Sequence, residues 1–353
     1  MICPHCNSSL KQVERKDRTC SVCKRQFALE PKENGLHLHD VRVRKLAARL
    51  GDEGRTTYTA RQMWYAAARG RIPAADKALE GCLGGTAFVL VVITAIAAAI
   101  TNARAEVLTP IIVGALGLLL IVTLLVLRGR RRARQWGPID VPMPYEEFRT
   151  LVLERWPAVY GSPPPGLVDE TRVPLPAVAH PRVALLCHDA GVLACLAANG
   201  AAETHHIALA ATPEDVPDGV PVLVLHDAGG QGLHHWAVAR ARLGPRARGI
   251  GLLPRSVMRR DPRTAVLLRA DAPKRAVDLT ARLQWVRAAP VRLREDEAAW
   301  AAGGWWSPVA AIPPAKLLAA VAGAVARVTA AGAAAPAGRG AGDTGFLTWP
   351  EAR

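Results

Sequence analysis

The sequence predicts a multi-domain chain that ends in an α/β domain with a mainly parallel sheet. Three observations predict it. Two Cys-x2-Cys pairs open the chain, two long uncharged apolar stretches lie before its midpoint, and short apolar runs alternate with helical segments after residue 145. Half of the 353 residues are apolar, which excludes a disordered or collagen-like chain. The net charge is +15, but its sources are uneven: residues 1–81 carry +7, residues 128–134 carry +5, and the long remainder only +3. A basic run can be a solvated linker, a nucleic-acid patch or a membrane-flanking signal, and its neighbours decide which.

The first element is the cysteine cluster. Cys3-Pro4-His5-Cys6 is followed after thirteen residues by Cys20-Ser21-Val22-Cys23. Each pair fits one tight knuckle, and two knuckles supply the four thiolates that Zn²⁺ accepts in a closed structural site. Iron with the same ligands is the chemical alternative. His5 lies inside a knuckle and reads as a neighbouring or surface group. Residues 1–30 resemble the zinc-ribbon family, whose motif matches at Cys3, Cys6, Cys20 and Cys23. The resemblance implies two short hairpins held by one zinc ion and no particular activity. With four ligands filled there is no open position for a water nucleophile, and so small a module should not fold without its metal.

Residues 36–80 read as two short basic helices. Asp40 is placed to cap the first, with Val43, Leu46, Ala47 and Leu50 on one face; Thr59 is placed to cap the second, with Met63, Trp64, Ala67 and Ala68 inward. Their arginines allow a nucleic-acid-binding alternative beside a plain helical partner for the cysteine module. His37 and His39 read as surface residues.

Residues 81–103 and 107–127 contain no charged side chain. About 20 helical residues span a bilayer core, so each stretch is long enough, and the pair predicts a transmembrane hairpin over 81–127. Arginines on both outer flanks then place both termini in the cytoplasm of a two-span cell-membrane protein. Arg128, Arg130, Arg131, Arg132 and Arg134 are expected against anionic headgroups of the lipid bilayer. Gly81, Gly84, Gly85, Gly114 and Gly117 would allow close helix packing. This topology also disfavours disulfides in the cysteine cluster.

A basic, proline-containing linker over 128–144 leads to the α/β domain, 145–330. Helical periodicity covers 145–156; strands are expected at 183–187, 206–210, 220–225 and 249–253, with helices at 191–199, 233–243, 276–286 and 314–329. Residues 331–353 read as a flexible tail. Two strand ends carry the same tetrapeptide, His188-Asp189-Ala190-Gly191 and His226-Asp227-Ala228-Gly229. Open α/β sheets bind ligands at such ends, so His188, Asp189, His226 and Asp227 are candidate catalytic residues for metal-dependent hydrolysis or phosphotransfer, with His205, His206, His234 and His235 able to join. The alternative is that each aspartate caps the following helix.

Other templates are missing or incomplete. There is no phosphate-binding G-x-x-x-x-G-K-[ST] loop and no G-x-S-x-G elbow. Gly229-Gly230-Gln231-Gly232 has the place of a dinucleotide loop but not its full spacing. The order is superficially similar to a nuclease-type α/β domain, but the carboxylates that would hold magnesium are not there. Cys187 and Cys195 read as core thiols. The sequence therefore points to scaffolding, sensing or regulation through a protein partner, with the enzyme and the membrane-tethered nucleic-acid binder as alternatives.

Overall fold

The computed structural model describes residues 1–72, 117, 121, 124, 125, 128, 138–260, 265–270 and 276–333. After the cysteine module come α1 (Asp40–Leu50), the two-residue strand β1 (Tyr58–Thr59) and α2 (Ala60–Ala68). Thr59 caps α2 as its position suggests: its hydroxyl accepts the Gln62 N–H, and the Gln62 side chain accepts the Thr59 N–H at 3.0 Å. Asp40 does not cap α1. It is fully buried inside the first turn, where its carboxylate accepts the N–H groups of Ala28 and Leu29 at 2.8 and 2.9 Å. The carboxylate thus ties the end of the cysteine module to the helices.

Next in the chain are α3 (Tyr145–Thr150), a π-helical turn (Leu151–Arg155) and α4 (Trp156–Tyr160), continuous with one another. They pack Phe148, Val152 and Trp156 against Leu36, Leu38, Val43 and Met63, so residues 28–68 and 143–167 share one core. The strand β2 (Leu167–Val168) pairs in parallel with β1 and closes it.

The α/β core follows. Strand β3 (Val183–Leu186) leads to α5 (Ala190–Ala198), α6 (Ala201–His205) and β4 (Ile207–Ala210). Strand β5 (Val222–Val224), the short β6 (Ala228–Gly229), α7 (Gly230–Leu243) and β7 (Ala247–Gly249) come next. Four of these strands form a wholly parallel sheet in the order β4-β3-β5-β7. Alternate residues face opposite cores: Val183, Leu185 and Leu223 on one side, Ala184, Leu186, Val222 and Val224 on the other. Burial on both faces is why β3, β4 and β5 read as continuous apolar runs, whereas β7 at the sheet edge carries Arg248.

The remainder is α8 (Pro254–Val257), β8 (Leu268–Arg269), α9 (Ala276–Arg287), α10 (Glu295–Ala302), β9 (Trp305–Ser307) and α11 (Pro314–Ala333). Strands β6, β9 and β8 make a small antiparallel sheet in that order beside the carboxyl edge of the main one.

The expected transmembrane hairpin is not supported. Among the described residues no helix is long and apolar enough to cross a membrane, so the two-span, cell-membrane assignment is corrected. Uncharged length in a sequence is only a requirement for a span; a helix of about 20 apolar residues must also be present. Among the described helices α11 has the length, at 20 residues, but it carries Lys316 and Arg327 and buries Leu317, Val321 and Val328 in the α/β core. The stretch 81–103 lies outside the described residues. Of 107–134, only Gly117, Ile121, Leu124, Leu125 and Arg128 are described, as exposed helical positions. Arg130, Arg131, Arg132, Arg134 and the tail 334–353 also lie outside.

Candidate functional site

Two groups of side chains stand out. The first is the cysteine cluster. Its knuckles repeat one another: Asn7 and Lys24 both take the left-handed backbone conformation (φ 59° and 58°), and their N–H groups bond back to the carbonyls of Cys3 and Cys20. The antiparallel bridges Ile2–Ser9 and Thr19–Gln26 flank the two turns. All four sulfurs lie within 4.8 Å of one another and could hold a metal ion, as in a zinc-ribbon-like site. The Cys3–Cys23 and Cys6–Cys20 sulfurs are each 3.8 Å apart. A disulfide needs about 2.05 Å, so neither pair is bonded, and all four cysteines are free thiols. The first knuckle docks on the body of the protein, with Arg44 donating to the Pro4 carbonyl at 3.1 Å and the His5 ring 5.9 Å from that of Tyr160.

The second group sits where the main sheet reverses direction. From β3 the chain goes to β4 on one side, then returns to β5 on the other. This leaves a crevice between the carboxyl ends of β3 and β5, the place where open α/β sheets take ligands. Both His-Asp pairs lie there, and the structure gives their members different tasks. His188 Nε2 lies 3.3 Å from Asp227 Oδ2. Asp227 Oδ1 accepts the Val309 N–H at 2.7 Å, which fixes the carboxylate, and no side chain caps α7. Asp189 instead caps α5, accepting the Val192 N–H at 3.0 Å. The His226 ring is fully buried and stacked on Trp236, with its Nδ1 3.0 Å from the Asp227 carbonyl.

The four side chains therefore do not converge on one point. Among the described residues the four cysteines form the group able to hold a metal ion. His235 comes within 5.1 Å of the His188 ring, and His234 stacks on Trp285. His205 and His206 end α6 just before β4, at the opposite, amino edge of the sheet, and take no part.

Electrostatics follow from this geometry. The hydrogen bond to Asp227 holds His188 above its ordinary range, against the opposing effect of burial. Burial, with Asp227 adding to it, raises the Asp189 carboxyl. Burial lowers both His226 and His235 to about 4. Burial pushes Cys187 well above a usual thiol and Cys195 to about 12, so both stay protonated core thiols. What the pair can do chemically is hold a proton on His188 beside an oriented carboxylate.

These shifts give the fold a signed pH dependence. An unfolded histidine protonates near 6.5. Between that value and about 4, the unfolded chain binds protons at positions 226 and 235 that the native chain refuses, so stability falls as pH falls. His188 works in the opposite sense: its raised affinity adds stability below 6.5 and loses it as pH rises through its native value. Three histidines held low, His39 by burial as well, against the raised His188 and Asp189 predict a lower urea midpoint at pH 5 than at pH 7. His226→Phe should flatten that slope, and an unchanged slope would refute the assignment.

Sequence reasoning missed the residues that complete the crevice. Helix α2 reaches across from the N-terminal helices and buries Tyr65 in the α/β core. Arg61, one turn earlier, lies against the start of α5, where a Cβ on Gly191 would stand 3.1 Å from the Arg61 Cβ. Burial, then Asp227 and Asp189, raise the Tyr65 hydroxyl, which stays protonated. From Asp227 a cavity of ≈ 630 Å³ opens past Gly230 and Gly232 to Trp285, Trp305 and Trp306. The signal that could have found it is the tryptophan content, nine residues against four each of tyrosine and phenylalanine.

No family model, curated protein or solved structure matches this chain.

Proposed function

We propose that this chain is a regulatory protein that senses a small molecule, with a zinc-held N-terminal module docked over a ligand site in the α/β domain. One observation carries the reading. Arg61 and Tyr65 of α2 reach the edge formed by Asp189 and Asp227, and Asp227 also forms part of the cavity wall. A molecule that engages Asp227 therefore acts on a residue that also faces the N-terminal helices. The cavity volume lies within the roughly 300–1,000 Å³ of small-molecule sites, and Asp227, just beyond β5, is the wall residue it shares with the crevice.

Zinc is supported by the sulfur spacing. Four thiolates about 2.3 Å from a central ion in a tetrahedron stand about 3.8 Å apart. That is the separation of the Cys3–Cys23 and Cys6–Cys20 sulfurs. The site is closed by four protein ligands, so its role is structural.

The test is whether disturbing the crevice is felt by α2. Asp227→Ala leaves the Val309 N–H and His188 without their partner. Hydrogen exchange of the full chain should then speed up at 188–192 and also at 60–68. Faster exchange confined to 188–192, with 60–68 unchanged, would remove the coupling on which the regulatory reading depends.

A further inference from the structure

The geometry points to a flat, fused heteroaromatic ring of nucleoside size as the ligand of the tryptophan-walled cavity. This rests on the reading of the crevice as a ligand site and adds its chemical class. The walls are apolar and flat. Trp285 gives one ring face to His234, with centroids 4.6 Å apart, and it also lines the cavity at 38 % exposure. The guanidinium of Arg269 lies 5.0 Å from the centre of the Trp305 ring. Trp306 completes the indole set. Every base has a π-face, so indoles hold heteroaromatic rings by stacking, with little dependence on the identity of the base.

The rim supplies both kinds of hydrogen-bonding group. The amino end of α7, at Gly230 and Gly232, carries backbone donors and no side-chain cap. The Asp140 carboxylate and the carboxyl end of α10 at Ala302 add acceptors to the lining, while the neighbouring Ala301 carbonyl already accepts the Gly304 N–H at 3.1 Å. A simple anion would meet the acceptors unfavourably, and a simple cation the donors. A ring whose edge offers donors and acceptors together suits both kinds of group. The glycines let the helix end pack close: a Cβ on Gly230 would stand 2.9 Å from the Trp285 ring, and one on Gly232 2.1 Å from the Asp227 carbonyl oxygen.

The full chain is titrated with adenosine and guanosine, with ribose as the control lacking a ring, by calorimetry and tryptophan fluorescence. Anilinonaphthalene sulfonate serves as a cavity probe indifferent to hydrogen bonding. Both nucleosides should quench tryptophan emission and displace the dye, and ribose should do neither. Trp285→Leu, at a part-exposed position, should weaken nucleoside binding about tenfold. Ala281→Trp should block it by filling the cavity without removing an indole, and circular dichroism checks that both variants fold. If the dye binds wild type, is lost on both substitutions and is not displaced by either nucleoside, the ring class is overturned while the ligand site stands. If the dye binds as well to both variants as to wild type, or not at all, the ligand site falls with it.

Discussion

Replacing Cys20 with serine abolishes metal binding and melts residues 1–27 while the rest of the chain stays folded. The buried apolar side chains of that module are Cys3, Leu10, Cys20 and Phe27. Burying a leucine contributes roughly 1.5–3 kcal/mol, whereas fixing each backbone residue costs about 1–2 kcal/mol. Metal bonds must supply the difference, and in small zinc modules they are worth about 10–16 kcal/mol at neutral pH. The boundary of the effect is set by Asp40. Ala28 and Leu29 donate to its carboxylate and belong to the core shared with α1 to α4, so protection should persist from residue 28 onward. Elemental analysis should show one metal per chain in wild type and essentially none in C20S, and hydrogen exchange should become fast over 1–27 alone. Slow exchange retained through that stretch in metal-free protein would show that something other than the metal folds it.

What the sequence made legible was local. The cysteine spacing is a contiguous pattern, and the structure brings Cys3, Cys6, Cys20 and Cys23 together. Three of the four parallel strands were visible because sheets buried on both faces are written as short apolar runs between turn residues; the fourth, expected at 249–253, instead runs Ala247–Gly249 with Arg248 at its centre. Strands β6, β8 and β9 were not, since two or three residues are too few to show an alternation. The repeated His-Asp-Ala-Gly located the crevice but could not apportion roles. Asp189 and Asp227 are alike in sequence, yet one meets the free N–H groups of α5 and the other the N–H of Val309, 82 residues later. Arg61 and Tyr65 were hidden because a periodicity argument assigns a helix one inward face, and α2 is buried on nearly all sides. The apolar stretches 81–103 and 107–127 show the converse: their hydrophobic length reads as a span, and no described helix provides one.

Gly251→Ala is expected to damage the α/β domain severely with a single methyl group. Beyond β7 the chain continues alongside the end of β5, with the Ile250 N–H bonded to the Val224 carbonyl and the Leu252 N–H bonded to the His226 carbonyl, both at 2.9 Å. Gly251 lies between these two anchors. A Cβ there would stand 2.2 Å from the His226 carbonyl oxygen, 2.5 Å from its nitrogen and 2.6 Å from its Cγ. Two of those atoms are backbone, so no rotamer change relieves the contact; the strand ends must separate. Overpacking usually costs about 1–3 kcal/mol, and a backbone collision in a central sheet should reach or exceed the top of that range. The damage would also reach the site, because His226 directly precedes Asp227 and its ring rests on Trp236, itself seated close over Gly249. Urea unfolding should show the loss, and the His188 imidazole should return toward its ordinary titration as Asp227 moves away. His226→Ala removes the Cγ contact and leaves the other two, so the double variant should not recover. Gly323→Ala is the control: it lies within α11, where a Cβ meets only the end of the Arg327 side chain at 3.4 Å. That change should stabilise by about 0.5–1 kcal/mol through helix propensity. A Gly251→Ala protein as stable as wild type would mean that the ends of β5 and β7 are not held together as described, and the crevice built on them would have to be redrawn.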